Sequence, residues 1–245
     1  MIPDICSMYI LLAAATTFEI QPAIGFLEGR APGPRPGDAA GLREHERGVL
    51  ITGIGSVATT HSLMRQIGRR KPDIIIQAGI AGCFTGLPAG EVVLVCEEAP
   101  GDLGVWEGGT FKTIFDLGLC GKDANPFTDG LLVNPYQRLM DLSGLPAVRG
   151  ITVNEITTAT ERIAWHQQNT APVVESMEGS ALHYTCLEEE VAFIQIRSVS
   201  NDIGERDKTK WNIPAAIRNL NERLIGLLQE LDKHGPELTN KKIFA

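Results

Sequence analysis

A chain of 245 residues, 43% of them hydrophobic, can bury a substantial core, and one α/β domain suits that length better than two small ones. Its 30 acidic and 22 basic residues give a formal charge of -8 without blocks of like charge, which excludes the basic footprint of a nucleic-acid binder. The five cysteines are scattered and form no CxxC pair, which points to core thiols in a reducing compartment; the apolar run at 8–15 is too short to span a bilayer and has no basic start, so a cytoplasmic protein outside any membrane is expected.

Short runs rich in Val, Ile and Leu predict strands at 9–14, 48–52, 73–77, 91–96, 148–153 and 191–200, apolar enough to be buried on both faces of a parallel or mixed sheet. Glu19 stands just past the first run. Sheets of this type place functional groups beyond the carboxyl ends of their strands, although an early carboxylate also simply favours a helix dipole. Residues 29–41, with Pro32, Pro34 and Pro36 among glycines, read as a surface loop. The turn Gly53-Ile54-Gly55 opens a helix with Val57, Thr60, Leu63, Met64 and Ile67 as its expected inner face, and Lys71-Pro72-Asp73 closes it before the next strand. In Gln77-Ala-Gly-Ile-Ala-Gly82, two glycines form an expected turn that lets backbone N–H groups approach a ligand.

The glycine-rich stretch 100–134 has mixed polarity and predicts no definite element. From Val174 to Leu182 a Met177-Glu178 pair enters an apolar helix, where an early carboxylate is also an ordinary helix-start residue. Around 194–202 an apolar strand carries Arg197 and ends in Ser200, Asn201 and Asp202. A buried cation there needs a carboxylate, and Glu19 and Glu178 are the candidates. The last helix is the clearest element: Ile213, Ile217, Leu220, Leu224, Leu227, Leu228 and Leu231 keep a three-to-four spacing, with Asn212 to cap and Pro214 in the first turn. Residues 1–7 and 238–245 read as flexible ends. The five histidines show no metal-ligand spacing, and no nucleophile elbow supports a Ser-His-Asp triad.

In this order the pieces resemble the purine nucleoside phosphorylase and nucleosidase superfamily from about 9 to 231, most specifically in Met177-Glu178-Gly179 followed by Ile196-Arg-Ser-Val-Ser-Asn201. Within it, the run from Val174 to Gly179, the Ser200-Asn201 ending and Trp211-Asn-Ile-Pro214 are most similar to the futalosine hydrolase family of menaquinone biosynthesis. The resemblance implies a single α/β domain, its central mixed β-sheet curling towards a barrel flanked by helices, assembled as a homodimer or higher homo-oligomer. It implies a small purine nucleoside as substrate, with no cofactor and no metal. It marks Glu19, Arg197 and Asn201 as catalytic, and Ile80, Ala81, Met177, Glu178, Ser200 and Trp211 as substrate-binding.

Gln77 stands where related phosphorylases hold phosphate with an arginine, and no arginine follows the first strand, so water is the expected nucleophile with Glu19 positioning it; Arg30 and Arg35 are the only alternatives for phosphate. Ile80 replaces a serine that helps hold the water in adenosine-type nucleosidases. Asn201 replaces their aspartic acid, and an amide NH2 donates to a 6-oxo group and to N7, which favours hypoxanthine over adenine. Asp202 is an alternative source of the proton. Trp211 offers stacking area to the group at the 5′ end, or anchors the helix start, and Trp106 is a candidate contribution from a neighbouring subunit. The competing readings are a methylthioadenosine or S-adenosylhomocysteine nucleosidase, a phosphorylase, and a non-catalytic nucleoside-binding protein.

Overall fold

The computed structural model describes residues 8–29 and 46–238. The expected flexible ends lie outside them, save Leu238, which closes the last helix, and so does the loop from Arg30 onward, with Arg30 and Arg35. The elements are β1 (Tyr9–Ala14), α1 (Thr17–Leu27), β2 (Glu46–Ile51), α2 (Ser56–Arg69), β3 (Ile74–Cys83), β4 (Val92–Pro100), β5 (Gly104–Glu107), β6 (Thr110–Thr113), β7 (Leu132–Val133), α3 (Gln137–Ser143), β8 (Ala147–Thr152), α4 (Thr160–Asn169), β9 (Val174–Ser176), α5 (Gly179–Glu188), β10 (Ala192–Asp202) and α6 (Ile213–Leu238).

Strands β10, β4, β8, β9 and β3 run side by side, and β10 pairs back onto β3, so the sheet closes into a five-stranded barrel. β1 and β2 extend it beyond β3, and β7 joins β4. Pairings of β1 with β2, β1 with β3, β3 with β10, β4 with β8 and β8 with β9 are parallel, whereas β4 runs antiparallel to β10 and β3 to β9. This is the mixed sheet that the apolar strands imply, curling towards a barrel as the family resemblance implies.

Such strands need cover on both faces. On one face Ile74, Ile76 and Ala78 of β3 and Ile194 and Ile196 of β10 pack with Leu220, Leu224, Leu227, Leu228 and Leu231 of α6. On the other, Ile75 and Phe193 meet Leu63 and Ile67 of α2 and Leu182 and Cys186 of α5. Further along that second face, Ala81, Cys83, Val93, Val95, Val174 and Val199 form the apolar interior of the barrel. Between these two clusters, the same face carries Gln77 on β3 and Gln195 and Arg197 on β10, all fully buried. A polar seam therefore crosses the interior between two apolar ones.

Several expectations change. The glycine stretch 78–82 lies inside β3 and is not a turn, and β3 and β10 both run past their expected ends, β3 because it gains β9 at Gly82 and β10 because it stays paired with β3 through a bulge to Asp202. Helix α2 buries Thr59, Leu63 and Ile67, while Val57 and Met64 are exposed, so its inner face is rotated from the expected one. A short strand, β9, precedes the helix read at 174–182. The unassigned stretch holds the β5–β6 hairpin and β7. Cys83 and Cys186 are core thiols, whereas Cys96 and Cys120 are only half-buried.

Candidate active site

The site forms where β3 changes partners. Its first half pairs with β1 up to Gln77, and its end pairs with β9 from Gly82 onward, on the same edge. Between these points the edge backbone is unpaired, and the N–H of Ile80 goes instead to Glu19 Oε1 at 3.1 Å. The other carboxylate oxygen of Glu19 accepts from the N–H and the hydroxyl of Thr16, both at 3.0 Å. Glu19 is thus both a helix-start carboxylate and a side chain delivered to the carboxyl end of the sheet.

Glu19 is held from behind as well. Pro22 has no N–H and Ile20 departs from helical dihedrals, which kinks α1 beside Glu19. Asn221 of α6 bridges the break: its Nδ2 donates to the Glu19 carbonyl at 2.8 Å, and its Oδ1 accepts from Ala23 N at 3.0 Å. A buried asparagine in the apolar stripe of α6 is the signal that the sequence reading passed over.

Arg197 is 1% exposed, so its charge must be answered inside the protein. Its Nη1 lies 3.5 Å from Glu178 Oε2, and its Nη2 donates to Gln77 Oε1 at 2.8 Å. The carboxylate of Glu178 is completed by the N–H of Gly55 at 3.0 Å. Gly53 and Gly55 have φ of +84° and +90°, a conformation reserved for glycine, and this turns the start of α2 towards Glu178. Glu19 and Arg197 converge on Gly79: a Cβ there would come 2.3 Å from Arg197 Nη1 and 2.9 Å from Glu19 Oε1. The glycine thus serves close approach, within a strand. Of the two carboxylates offered as partners of Arg197, Glu178 makes the ion pair and Glu19 stands across Gly79.

Asn201 follows a bulge in the pairing of β10 with β3 and lies opposite Gly82. Its amide is oriented without ambiguity. The contact at 2.9 Å to the carbonyl of Asp202 must come from Nδ2, because a carbonyl only accepts. The Ser200 hydroxyl lies 2.7 Å from Asn201 Oδ1 and 3.1 Å from the Ala81 carbonyl, and its one proton serves one of them at a time. One amide N–H remains to donate. On the other side of Gly82 in the same register row is Glu175, whose Oε1 takes the N–H of Thr157 at 3.0 Å. Burial pushes the Glu175 carboxyl above its ordinary range.

Ile80 and Ala81 lie on β3 between Gly79 and Gly82, and Met177 directly precedes Glu178, with its carbonyl 3.4 Å from the Ser56 hydroxyl. Trp211 is half-buried, its indole N–H donating to the Glu205 carbonyl at 3.0 Å. The next residue ties the segment to the strand end, since Asn212 N donates to the Ser200 carbonyl at 3.0 Å. Trp106 lies on β5 and packs on Phe111.

A sequence model of the phosphorylase superfamily matches residues 41–231, more than three quarters of the chain. The chain belongs to the phosphorylase superfamily. Among superfamily members, a futalosine hydrolase of Acidothermus cellulolyticus is 29% identical over 220 residues, 89% of each chain, and one of Thermus thermophilus is 31% identical over 185 residues, 74% of this chain and 80% of the relative. The fold is shared with futalosine hydrolase of Helicobacter pylori, with a TM-score of 0.71, 15% identity and coverage of 91% of this chain and 98% of that one. It is also shared with a 5′-methylthioadenosine/S-adenosylhomocysteine nucleosidase of Colwellia psychrerythraea in complex with adenine, with a TM-score of 0.71, 20% identity and coverage of 92% and 96%. For this member of the superfamily, the fork in β3 brings Glu19, Arg197, Glu178 and Ile80 together, and the bulge in β10 sets Asn201 beside Gly82.

Proposed function

We propose that the protein is a futalosine hydrolase, releasing hypoxanthine and dehypoxanthine futalosine by attack of water on the ribosyl carbon. The observation that carries this reading is the bond between Gln77 and Arg197 beside Glu19. The neutral amide at position 77 is used up as an acceptor for Arg197. Among the described residues no second basic side chain pairs with Glu19 or Glu178, so a phosphate dianion lacks its clamps, whereas a water molecule needs only an acceptor. Two relatives named futalosine hydrolase, 29% and 31% identical over most of both chains, support the choice of substrate.

In this mechanism Glu19 accepts a proton from water as the oxygen bonds to C1′ and the C1′–N9 bond breaks. Glu178, anchored by Gly55 and Arg197, grips the ribose hydroxyls and stabilises the cation-like sugar. Asn201 donates its remaining N–H to the 6-oxo or N7 side of the base. The amide has no proton to give away, so the departing base is neutralised from solvent or from Asp202, which is exposed one residue on. Met177, Ile80, Ala81 and Ser200 line the nucleoside, and Trp211 lies towards its 5′ end.

The test is incubation with futalosine, inosine and methylthioadenosine, with and without phosphate. Free hypoxanthine and a reducing sugar are expected from futalosine in phosphate-free buffer. A strict need for phosphate, with a sugar 1-phosphate as product, overturns the hydrolytic reading.

The assembly is a homodimer or higher homo-oligomer working in the cytoplasm. Phe18, Ile54 and Val57 are 67%, 63% and 83% exposed on the segments that carry Glu19 and Gly55, which supports a partner surface next to the site. No helix of the described residues is long and apolar enough to cross a membrane.

A further inference from the structure

Behind the ion pair of Arg197 and Glu178 lies a third carboxyl group. Glu98 on β4 is wholly buried, and only one of its oxygens is bonded: Oε1 accepts from the Thr152 hydroxyl at 2.9 Å, while Oε2 has no hydrogen-bond partner. Thr152 Oγ1 in turn accepts the N–H of Ser180 at 2.7 Å, in the first turn of α5. Glu98 also lies against the residue that joins Glu178 to that helix. A Cβ on Gly179 would fall 2.3 Å from Glu98 Oε2 and 2.5 Å from Gln195 Nε2. Glu178 precedes Gly179 directly, so the helix start that carries Glu178 rests on Glu98 and on the Thr152 bridge.

β8 contributes the neutral Thr152, and β10 contributes Gln195, whose amide lies beside Glu98 without a bond of proper geometry, and Arg197. The turn into α5 contributes Glu178, and α5 contributes His183, which burial holds down at about 4 and therefore keeps neutral near pH 7. The one cation in this set is already bonded to Glu178 and Gln77. An ionised Glu98 would be a buried carboxylate supported by the Thr152 hydroxyl and by an Arg197 that Glu178 already engages, with Glu178 as a like charge nearby.

We propose that Glu98 is a positioning residue of this site: a carboxylic acid whose protonated form seats the start of α5 and leaves Arg197 to Glu178. This rests on the reading of Glu178 and Arg197 as the ribose-binding pair. Burial raises Glu98 to about 7, against the opposing effects of Thr152 and Arg197. As pH rises through that value the group ionises, competes with Glu178 for Arg197 and loosens the helix start. The sign is that of an acid with a raised folded-state pKa: the stability it contributes is complete at low pH and declines between about 4.5 and 7, where the native state holds a proton that the unfolded chain has lost, whereas positioning is lost as the folded group itself ionises through about 7 and above.

The experiment compares Glu98→Gln, which mimics the neutral acid, with the wild type. Hydrolysis by the wild type should fall as pH rises above about 7, approaching tenfold per unit as one proton is lost. The variant should stay within about threefold of the wild type at pH 6 and lose that alkaline limb. Thr152→Val removes a bond that favours the ionised form, so its limb should move to higher pH. Two readouts need no substrate: the infrared carbonyl band of a protonated acid, absent in Glu98→Gln, and a melting temperature of the variant that gains on the wild type's between about pH 4.5 and 7 and holds a constant lead above that. An alkaline limb unchanged in both variants, or loss of activity in Glu98→Gln at every pH while the protein remains folded, overturns the proposal. If no nucleoside is cleaved at all, the functional reading fails, while the band and the melting curves still decide the state of Glu98.

Discussion

The decisive residues here are few, and each is held by more than one bond. Asn201 shows this for base recognition: the Asp202 carbonyl fixes which atom of the amide is nitrogen, and the amide is thereby a donor towards the ligand. Hypoxanthine presents an oxygen at position 6 and adenine an amino group, so a donor at Asn201 suits the first. Changing Asn201→Asp sets a carboxylate against that oxygen. The expected result is a swing in relative kcat/KM of about 1–3 kcal/mol from hypoxanthine towards adenine nucleosides, the cost of leaving a buried hydrogen-bonding group unmatched. Specificity constants for inosine and methylthioadenosine, measured on both proteins near neutral pH, check it. An unchanged ratio moves base reading to the segment around Thr157, which Glu175 holds beside Gly82.

At the level of elements, the fork in β3 does the assembling. Strand β1 ends at Ala14 and releases the chain into α1, and the edge it leaves open is the one that Glu19 occupies. Helix α6 locks α1 in place through Asn221, so a residue near the C-terminus decides where Glu19 stands. Gly79 is the narrowest point of this arrangement. Gly79→Ala places a methyl group 2.3 Å from Arg197 Nη1, and one of the two must move. A displacement on the order of 1 Å of such groups costs about 100-fold in rate. The expected outcome is that loss in kcat/KM with the circular dichroism spectrum preserved. Near-normal turnover in this variant would mean that Arg197 and Glu19 need not meet at Gly79. The sequence pattern suggested a turn at these glycines for close approach of backbone N–H groups to a ligand; they lie within a strand instead, where Gly79 makes room for Arg197 and Glu19.

For the whole molecule, the side chains that stayed outside are as informative as the core. Periodicity placed Val57 and Met64 on the inner face of α2, yet they are 83% and 41% exposed, while Thr59 is buried. Phe18 and Ile54, on the segments that carry Glu19 and Gly55, are exposed as well, and a second copy of the chain is the occupant that the homo-oligomer reading requires. Val57→Lys, which touches no catalytic group, should shift the mass seen by light scattering towards a single chain. A variant that keeps the wild-type mass removes this surface from the interface.

The linear order of residues by itself located six of the strands and α6, because near-continuous or helically spaced apolar runs are local properties read over a dozen residues, but not the short β9 that completes the barrel. It also singled out Glu19, Glu178, Arg197 and Asn201, through residue types that are costly inside an apolar strand or at its end. Only the tertiary structure decided what those residues bind. Arg197 meets Gln77 across 120 positions, Ala23 meets Asn221 across 198, and Glu98 meets Thr152 across 54. Such contacts arise when the sheet closes on itself and β3 trades β1 for β9, and no local periodicity encodes a pairing between segments so far apart.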